Sequence, residues 1–308
     1  MLKNFKAKVL LILVFLVFYF LFKPIEKLHY VFQSNGAIQS ITSKLQRVVY
    51  QSADVEIRQI DLVRQNNAPL SDFVNELNKP KLYFFKFKKN DHNFKVSLDK
   101  QGNTTGDLVK GNTIFAINSS FYDKELQSLG EVVVDGQSKG HASRSSGFFK
   151  VINGKAVAGP KSIFSGLDDQ VEYACQAHPS VMKDGHIWSY ILNEDQQIAA
   201  WKRLTYRNLC GMDADGNICF LVSADGGLLS VKEIAEIADQ LGVKTATLLD
   251  AGVALQYCFD DGDYYLSFYT YNNVINLGHK FDELFISMTK KRFFNSSPVF
   301  INYQRSSE

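Results

Sequence analysis

Apolar runs that end abruptly in turn residues mark the most informative part of the chain. Ile218–Ser223 is a strand-like run, residues 230–241 repeat apolar positions at helical spacing, and residues 246–249 form a second apolar run. The helical stretch opens with a serine and, three residues later, a glutamate, which together make a capping box. The pattern predicts a strand, a helix and a strand joined by a right-handed parallel crossover. Because ligands gather at the carboxyl ends of such strands, Asp225 and Asp250 are candidate site residues.

Further strands are predicted on the amino-terminal side of this unit. Residues 55–62 alternate apolar and polar side chains, residues 81–89 form an aromatic and basic run, and residues 114–117 are apolar. The Asn153-Gly154 pair is a typical hairpin turn, which makes much of the sheet antiparallel. We therefore expect a mixed α/β (α+β) fold. It comprises a twisted, largely antiparallel sheet system with packed helices and one parallel strand-helix-strand crossover.

The amino terminus has the layout of a signal anchor. Three lysines within the first eight residues precede an unbroken apolar run over residues 9–22, and no small-x-small cleavage site follows it. We expect an uncleaved membrane anchor with the domain outside the cytoplasm, either periplasmic or extracellular. The predicted organisation is an anchor (1–22), a linker (23–47), one domain (48–290) and a carboxy-terminal tail (291–308).

Composition excludes several classes of function. The net charge of +2 and the absence of a long Lys/Arg stripe argue against a nucleic-acid partner. Four cysteines are too few for a disulfide framework in a chain of this length, so we expect buried thiols. Asp213, Asp215, Asp225 and Asp250 could surround a hard cation in principle, but residues 213–217 lack the distal Glu of a calcium loop. We interpret that stretch as a hairpin turn and expect neither a metal nor a cofactor.

Five stretches together resemble a known family. They occur, in the family's order, at residues 116–122, 129–136, 176–181, 207–213 and 248–252. Over residues 48–277 the chain resembles the phosphodiester glycosidases. The resemblance implies a hydrolase whose substrate is a carbohydrate or sugar phosphate, and specifically a sugar phosphodiester. Such a bond could belong to a cell-envelope or exopolysaccharide glycan.

The resemblance also assigns roles to particular residues. It implies that Asp250 is the acid or base, that Arg207 neutralises phosphate charge, and that Asn118 positions the substrate. Taken singly, an Asn at a strand end is more often a turn cap, and a lone His more often structural. The further candidates for substrate binding are Gln176, His178, Asp225, Gly252 and Arg144.

Two departures from the family's pattern leave a second function open. Ala251-Gly252 stands where the family usually has a pair of glycines, and Ser119-Ser120 replaces its small Gly-rich step. A glycine at such a position supplies backbone conformations that a Cβ disfavours. The alternative is therefore a catalytically inactive protein for glycan binding, or for envelope or polysaccharide assembly, that retains the fold.

Overall fold

A computed structural model describes eight segments of the chain. They are residues 46–62, 81–88, 92–99, 102–123, 125–140, 146–165, 171–270 and 297–305. The predicted anchor, residues 1–22, lies outside these segments. Within the described segments, no helix combines the length and the hydropathy needed to cross a membrane.

Strands dominate the described residues. The strands are β1 (Gln46–Gln51), β2 (Val55–Asp61), β3 (Lys81–Phe87), β4 (Phe94–Leu98), β5 (Thr113–Asn118), β6 (Val132–Val134), β7 (Gln137–Ser138), β8 (Gly147–Ile152), β9 (Lys155–Pro160), β10 (Val171–Ala177), β11 (Ser180–Lys183), β12 (His186–Ile187), β13 (Asn208–Asp213), β14 (Ile218–Ser223), β15 (Val243–Leu248), β16 (Gln256–Asp260), β17 (Tyr265–Tyr269) and β18 (Val299–Gln304). The α-helices are α1 (Thr105–Leu108), α2 (Ser189–Leu192), α3 (Ala199–Lys202) and α4 (Val231–Gln240). Short 3-10 turns lie at Lys161–Phe164, Glu194–Gln196 and Gly252–Ala254.

The strands form three antiparallel sheets. Sheet A has the order β1-β2-β3-β14-β13-β15-β11-β12, sheet B the order β7-β6-β10-β8-β9, and sheet C the order β17-β16-β5-β18-β4. The last strand, β18, comes from the segment that we interpreted as a carboxy-terminal tail. It pairs with β5 on one side and β4 on the other, so this part of the chain lies inside sheet C.

The predicted mixed α/β fold with a parallel crossover is wrong. The strand, helix and strand of the crossover are present as β14, α4 and β15, but β13 lies between the two strands and pairs antiparallel with both. The two strands run in the same direction without pairing. Sequence periodicity cannot reveal this arrangement, because it indicates that a segment is a strand but not which strands it pairs with. The inserted strand, β13, is the first strand of the hairpin that it forms with β14. The described fold is therefore mostly antiparallel β-structure with few helices.

One helix covers the outer face of sheet A. The capping box predicted for it is present, because the Glu233 backbone N donates to Ser230 Oγ at 3.2 Å and the Ser230 backbone N donates to Glu233 Oε2 at 2.7 Å. Its apolar side chains, among them Ile234 and Ala238, pack on the outward-facing residues of the sheet. The opposite face of sheet A contacts sheets B and C across an aromatic core that includes Phe220. All four cysteines are buried free thiols, as expected.

Candidate active site

Asp250 lies where sheets A and C meet. It follows β15 by two residues, and its backbone N donates to the carbonyl oxygen of Ser119, directly after β5, at 2.7 Å. The preceding residue, Leu249, donates to the carbonyl oxygen of Asn208 at the start of β13. The backbone of Leu249 and Asp250 is thus hydrogen-bonded to both sheets, which positions the residue that carries the carboxylate.

Asn118 lies beneath this turn. The side chain is fully buried; its Nδ2 donates to the Asp250 carbonyl oxygen at 2.9 Å, and its Oδ1 accepts from the Gln256 backbone N at 3.0 Å. Both polar atoms of the amide therefore bond to backbone. In this conformation Asn118 orients the residue that carries the carboxylate.

Asn208, which our sequence reasoning did not select, supports the same turn. It is fully buried and lines the cleft beside Asp250. Its Nδ2 donates to the carbonyl oxygens of Asn118, at 2.9 Å, and Asp250, at 3.3 Å. Two asparagines from two sheets thus bond to one carbonyl. The available signal was the position of Asn208 at the start of a strand within a family-like stretch.

The carboxyl group of Asp250 has an unusual electrostatic environment. Burial raises its pKa to about 7, against the opposing effect of a hydrogen bond from the Ala251 backbone N to Oδ1 at 2.9 Å. Tyr122 lies close enough for the two groups to interact. Burial raises the pKa of Tyr122 to about 12, and the carboxylate of Asp250 adds to that rise. Asp250 therefore changes protonation state near neutral pH while the phenol stays neutral.

The residues after Asp250 explain how the chain tolerates its departures from the family's pattern. Gly252 has φ +66°, the left-handed region that favours glycine. Ala251 has φ −151°, and neither Ser119 nor Ser120 has a positive φ. The turn thus needs a glycine where the chain has one. Ala251, Ser119 and Ser120, which stand where the family usually has glycine, adopt backbone conformations that do not require it.

Arg207 lines the same cleft but is heavily engaged with backbone. Its Nε donates to the Leu229 carbonyl oxygen at 2.9 Å, and Nη2 to the Arg203 carbonyl oxygen at 2.7 Å. Nη2 also reaches two carbonyl oxygens of α3, those of Ala200 at 3.2 Å and Trp201 at 3.4 Å. Burial lowers the pKa of Arg207 to about 10, so it is still charged at neutral pH. The guanidinium ties α3 to the rest of the site.

The cleft around these groups has a volume of about 320 Å³. His178 lines it, and burial lowers the pKa of its imidazole, so the ring is neutral at pH 7. The His178 Nδ1 lies 3.4 Å from Ser146 Oγ. The remaining described lining residues are Phe121, Pro179, Ile198, Ala200, Trp201, Thr205, Arg207, Asn208, Leu248, Leu249, Asp250, Ala251 and Gly252.

Two of the other predicted binding residues, Gln176 and Asp225, do not line the cleft. Gln176 is buried, and its Oε1 accepts from the Glu131 backbone N at 2.9 Å. Asp225 follows β14 and is half-buried, but it does not line the cleft. Arg144 lies outside the described residues. In the part of the chain that the structure describes, no group of three or more His, Cys, Asp or Glu side chains could hold a metal ion.

Comparisons with known proteins found one family model and several similar folds. A family model described as phosphodiester glycosidase matches residues 111–273, which is more than half of the chain. The fold is similar to the catalytic domain of zebrafish N-acetylglucosamine-1-phosphodiester alpha-N-acetylglucosaminidase, auto-inhibited by its pro-peptide, with a TM-score of 0.58 and 13% identity over 85% of this chain and 88% of that chain. It is also similar to a hypothetical protein from Synechocystis, with a TM-score of 0.54 and 11% identity over 84% of this chain and 64% of that chain. This chain therefore spans less than two thirds of the second protein. No curated protein matches the sequence.

Proposed function

Since the chain belongs to the phosphodiester glycosidase family, a family of hydrolases that act on sugar phosphodiesters, we propose that the cleft at Asp250 carries this activity. The observation that supports it best is the raised pKa of a carboxyl group held rigidly in the cleft. A catalytic acid or base works best when its pKa lies near the working pH, and burial is the usual means of raising that of an aspartate.

Asp250 acts as the general base in this proposal. Glycoside hydrolysis commonly uses two carboxylates, but Asp250 is the single carboxylate among the described residues that line the cleft. The leaving group in this reaction is a phosphomonoester, whose second pKa is about 6. It leaves without full protonation, so no second carboxyl group is needed to protonate it. Water attacks the anomeric carbon, its proton passes to Asp250, and the bond from that carbon to the phosphate oxygen breaks.

Arg207 supplies positive charge for the phosphate group. It is the one cation among the described residues of the cleft, because the pKa of His178 is lowered. Its Nε and Nη2 are bonded to carbonyl oxygens, which leaves Nη1 to meet a phosphate oxygen. Asn118 and Asn208 hold the main chain of Asp250 in the same cleft. Substrate position is then set by the cleft walls and by Nη1.

The test is the Asp250→Asn substitution in the full-length chain, assayed against methyl phosphodiesters of glucose, mannose and N-acetylglucosamine 1-phosphates. The amide keeps the shape but cannot take a proton, so we expect turnover to fall by about 10²-fold or more with little change in affinity. Hydrolysis in ¹⁸O-labelled water should place the label in the sugar. A variant that turns over at the parent rate would refute the catalytic role.

A second candidate function is glycan binding without turnover, for example in envelope or polysaccharide assembly. The sequence feature that raises it is Ala251 at a position where the family usually has glycine, although Ala251, with φ −151°, adopts a conformation that needs no glycine. In that case no phosphodiester of the panel is hydrolysed, and Asp250→Asn alters affinity alone. We place either activity outside the cytoplasm, on a cell-envelope or exopolysaccharide glycan, with the chain held by its amino-terminal anchor.

A further inference from the structure

The walls of the cleft are mainly apolar, although the proposed substrate is polar and charged. Trp201, Phe121 and Ile198 line it, and Ile198 is 55% exposed. Exposed apolar side chains at a polar reaction centre suggest that part of the ligand presents an apolar surface. A pyranose ring has such a surface, because its C–H bonds form a face distinct from its hydroxyl groups.

Trp201 is packed against two other aromatic rings. Its ring lies 5.9 Å from that of His178 and 5.8 Å from that of Tyr190, measured between centroids. Its backbone carbonyl oxygen accepts from Arg207 Nη2 at 3.4 Å, so the proposed phosphate-binding residue also contacts the helix that carries the indole. Tyr190 is fixed in turn, because its hydroxyl donates to the Ser180 carbonyl oxygen at 2.7 Å. A rigid aromatic surface costs little entropy when a ligand binds.

We infer that Trp201 is the platform on which the pyranose ring of the substrate stacks, and that it selects a sugar over an acyclic or lipid group at this position. The inference rests on the proposed function, since it names how that cleft holds its substrate. The arrangement is consistent, because the indole and the cation that meets the phosphate line the same cleft, and Arg207 Nη2 donates to the main chain of Trp201. Aromatic rings contribute through both contact area and geometry.

The volume of the cleft favours one sugar ring as the occupant. At about 320 Å³ it is near the lower end of small-molecule pockets, which span about 300–1,000 Å³. A sugar with its phosphate is of suitable size, whereas a long lipid chain is not. Hydroxyl groups on the ring would meet the polar lining residue Thr205.

The chain contains two tryptophans, Trp188 and Trp201, and this gives a direct test. Trp188 does not line the cleft. The Trp188→Phe protein therefore reports on Trp201 alone, and the Trp201→Phe protein serves as its matched control. Both are made in the full-length chain with Asp250→Asn, so that the sugar phosphodiester stays intact. The probes are methyl glucose 1-phosphate diester, dimethyl phosphate, which lacks the ring, and dodecyl phosphate, which carries a lipid chain.

We expect the sugar phosphodiester to change Trp201 emission saturably, with no change in the Trp188 emission of the control protein. Dimethyl phosphate should have no effect, and Trp201→Ala should weaken sugar binding about ten-fold by calorimetry, with Trp201→Phe recovering part of the loss.

Unchanged Trp201 emission with a sugar that the wild-type protein hydrolyses would overturn the inference and leave the proposed function standing. A saturable response without any turnover would support the inference and refute the proposed function. A tighter response to dodecyl phosphate than to the sugar would also overturn the inference, because a lipid would then be the occupant.

Discussion

The side-chain amide of Asn118 holds the main chain of Asp250: Nδ2 donates to the Asp250 carbonyl oxygen at 2.9 Å. The other end of the same amide accepts from the Gln256 backbone N at 3.0 Å. One buried side chain therefore joins the residues before and after the turn that carries the carboxylate. The position of the proposed catalytic residue depends on a side chain whose polar atoms both bond to backbone.

Asn118→Ala should damage both stability and catalysis. It removes the acceptor of the buried Gln256 backbone N and leaves the Asp250 carbonyl oxygen with Asn208 alone, which should cost roughly 1–3 kcal/mol in unfolding free energy. Displacement of Asp250 should lower kcat by at least about ten-fold while KM changes less. The control is Asn302→Ala on β18, where Nδ2 donates to Ser97 Oγ at 2.7 Å. That variant should lose stability and keep kcat; an Asn118→Ala protein with normal kcat would contradict this role.

Gly252→Ala and Ala251→Gly should behave differently although the residues are neighbours. Gly252 has φ +66°, so alanine there should cost about 1–2 kcal/mol and lower turnover. Steric contact is a minor factor, because the added Cβ would lie 3.4 Å from Thr205 Oγ1. Ala251 has no positive φ, so glycine there should cost about 0.4–1 kcal/mol and leave kcat nearly unchanged. A large gain of activity in Ala251→Gly would show that the family's glycine pair is needed.

The ionisation of Asp250 should have opposite effects on stability and activity. Its pKa is about 7 in the folded protein and about 3.9 in an unfolded chain, so the folded state binds the extra proton between these values. Stability should therefore fall as pH rises from about 4 to 7, and the Asp250→Asn protein should lack this decline. As a general base, Asp250 should make kcat/KM rise through pH 7. Urea unfolding and kinetics across pH 4–9 measure both, and a kcat/KM that falls through pH 7 would contradict the base assignment.

Arg207→Lys should weaken binding of phosphate-bearing ligands and loosen the wall of the cleft. A lysine cannot replace the donors that reach Leu229 and Arg203, so we expect a loss of about 1–3 kcal/mol in stability with the fold retained. Titration with inorganic phosphate and with glucose 1-phosphate measures affinity. Arg203→Lys, at an exposed position, is the control. Unchanged phosphate affinity in Arg207→Lys would remove that side chain from the site.

The amino-terminal apolar run predicts the topology of the chain. Lysines that precede the run should keep the amino terminus in the cytoplasm and place the domain outside. Two reporters fused after Glu308 test this. We expect activity from a reporter that works only outside the cytoplasm, and none from a reporter that works only inside it. The reverse pattern would show that the apolar run does not export the domain.

Local sequence was sufficient for several elements. The strand at Ile218–Ser223, the capped helix that follows it and the hairpin turn at Asn153-Gly154 are present as predicted, because their signals lie within a few neighbouring residues. The same reasoning singled out Asp250, since an apolar run that ends on a carboxylate is visible in sequence. Composition likewise indicated that the cysteines are buried thiols.

Contacts between distant residues decided the rest. β13 lies between β14 and β15, so the expected parallel pairing does not form, and periodicity carries no information on which strand lies beside which. Asn118 and Asn208 are 90 residues apart in sequence, yet both donate to the carbonyl oxygen of Asp250. The sequence alone was enough to propose Asp250 as the residue that carries the chemistry, because residue type and local pattern are encoded side by side. Only tertiary structure decided the pKa of Asp250, because burial depends on elements brought together by folding.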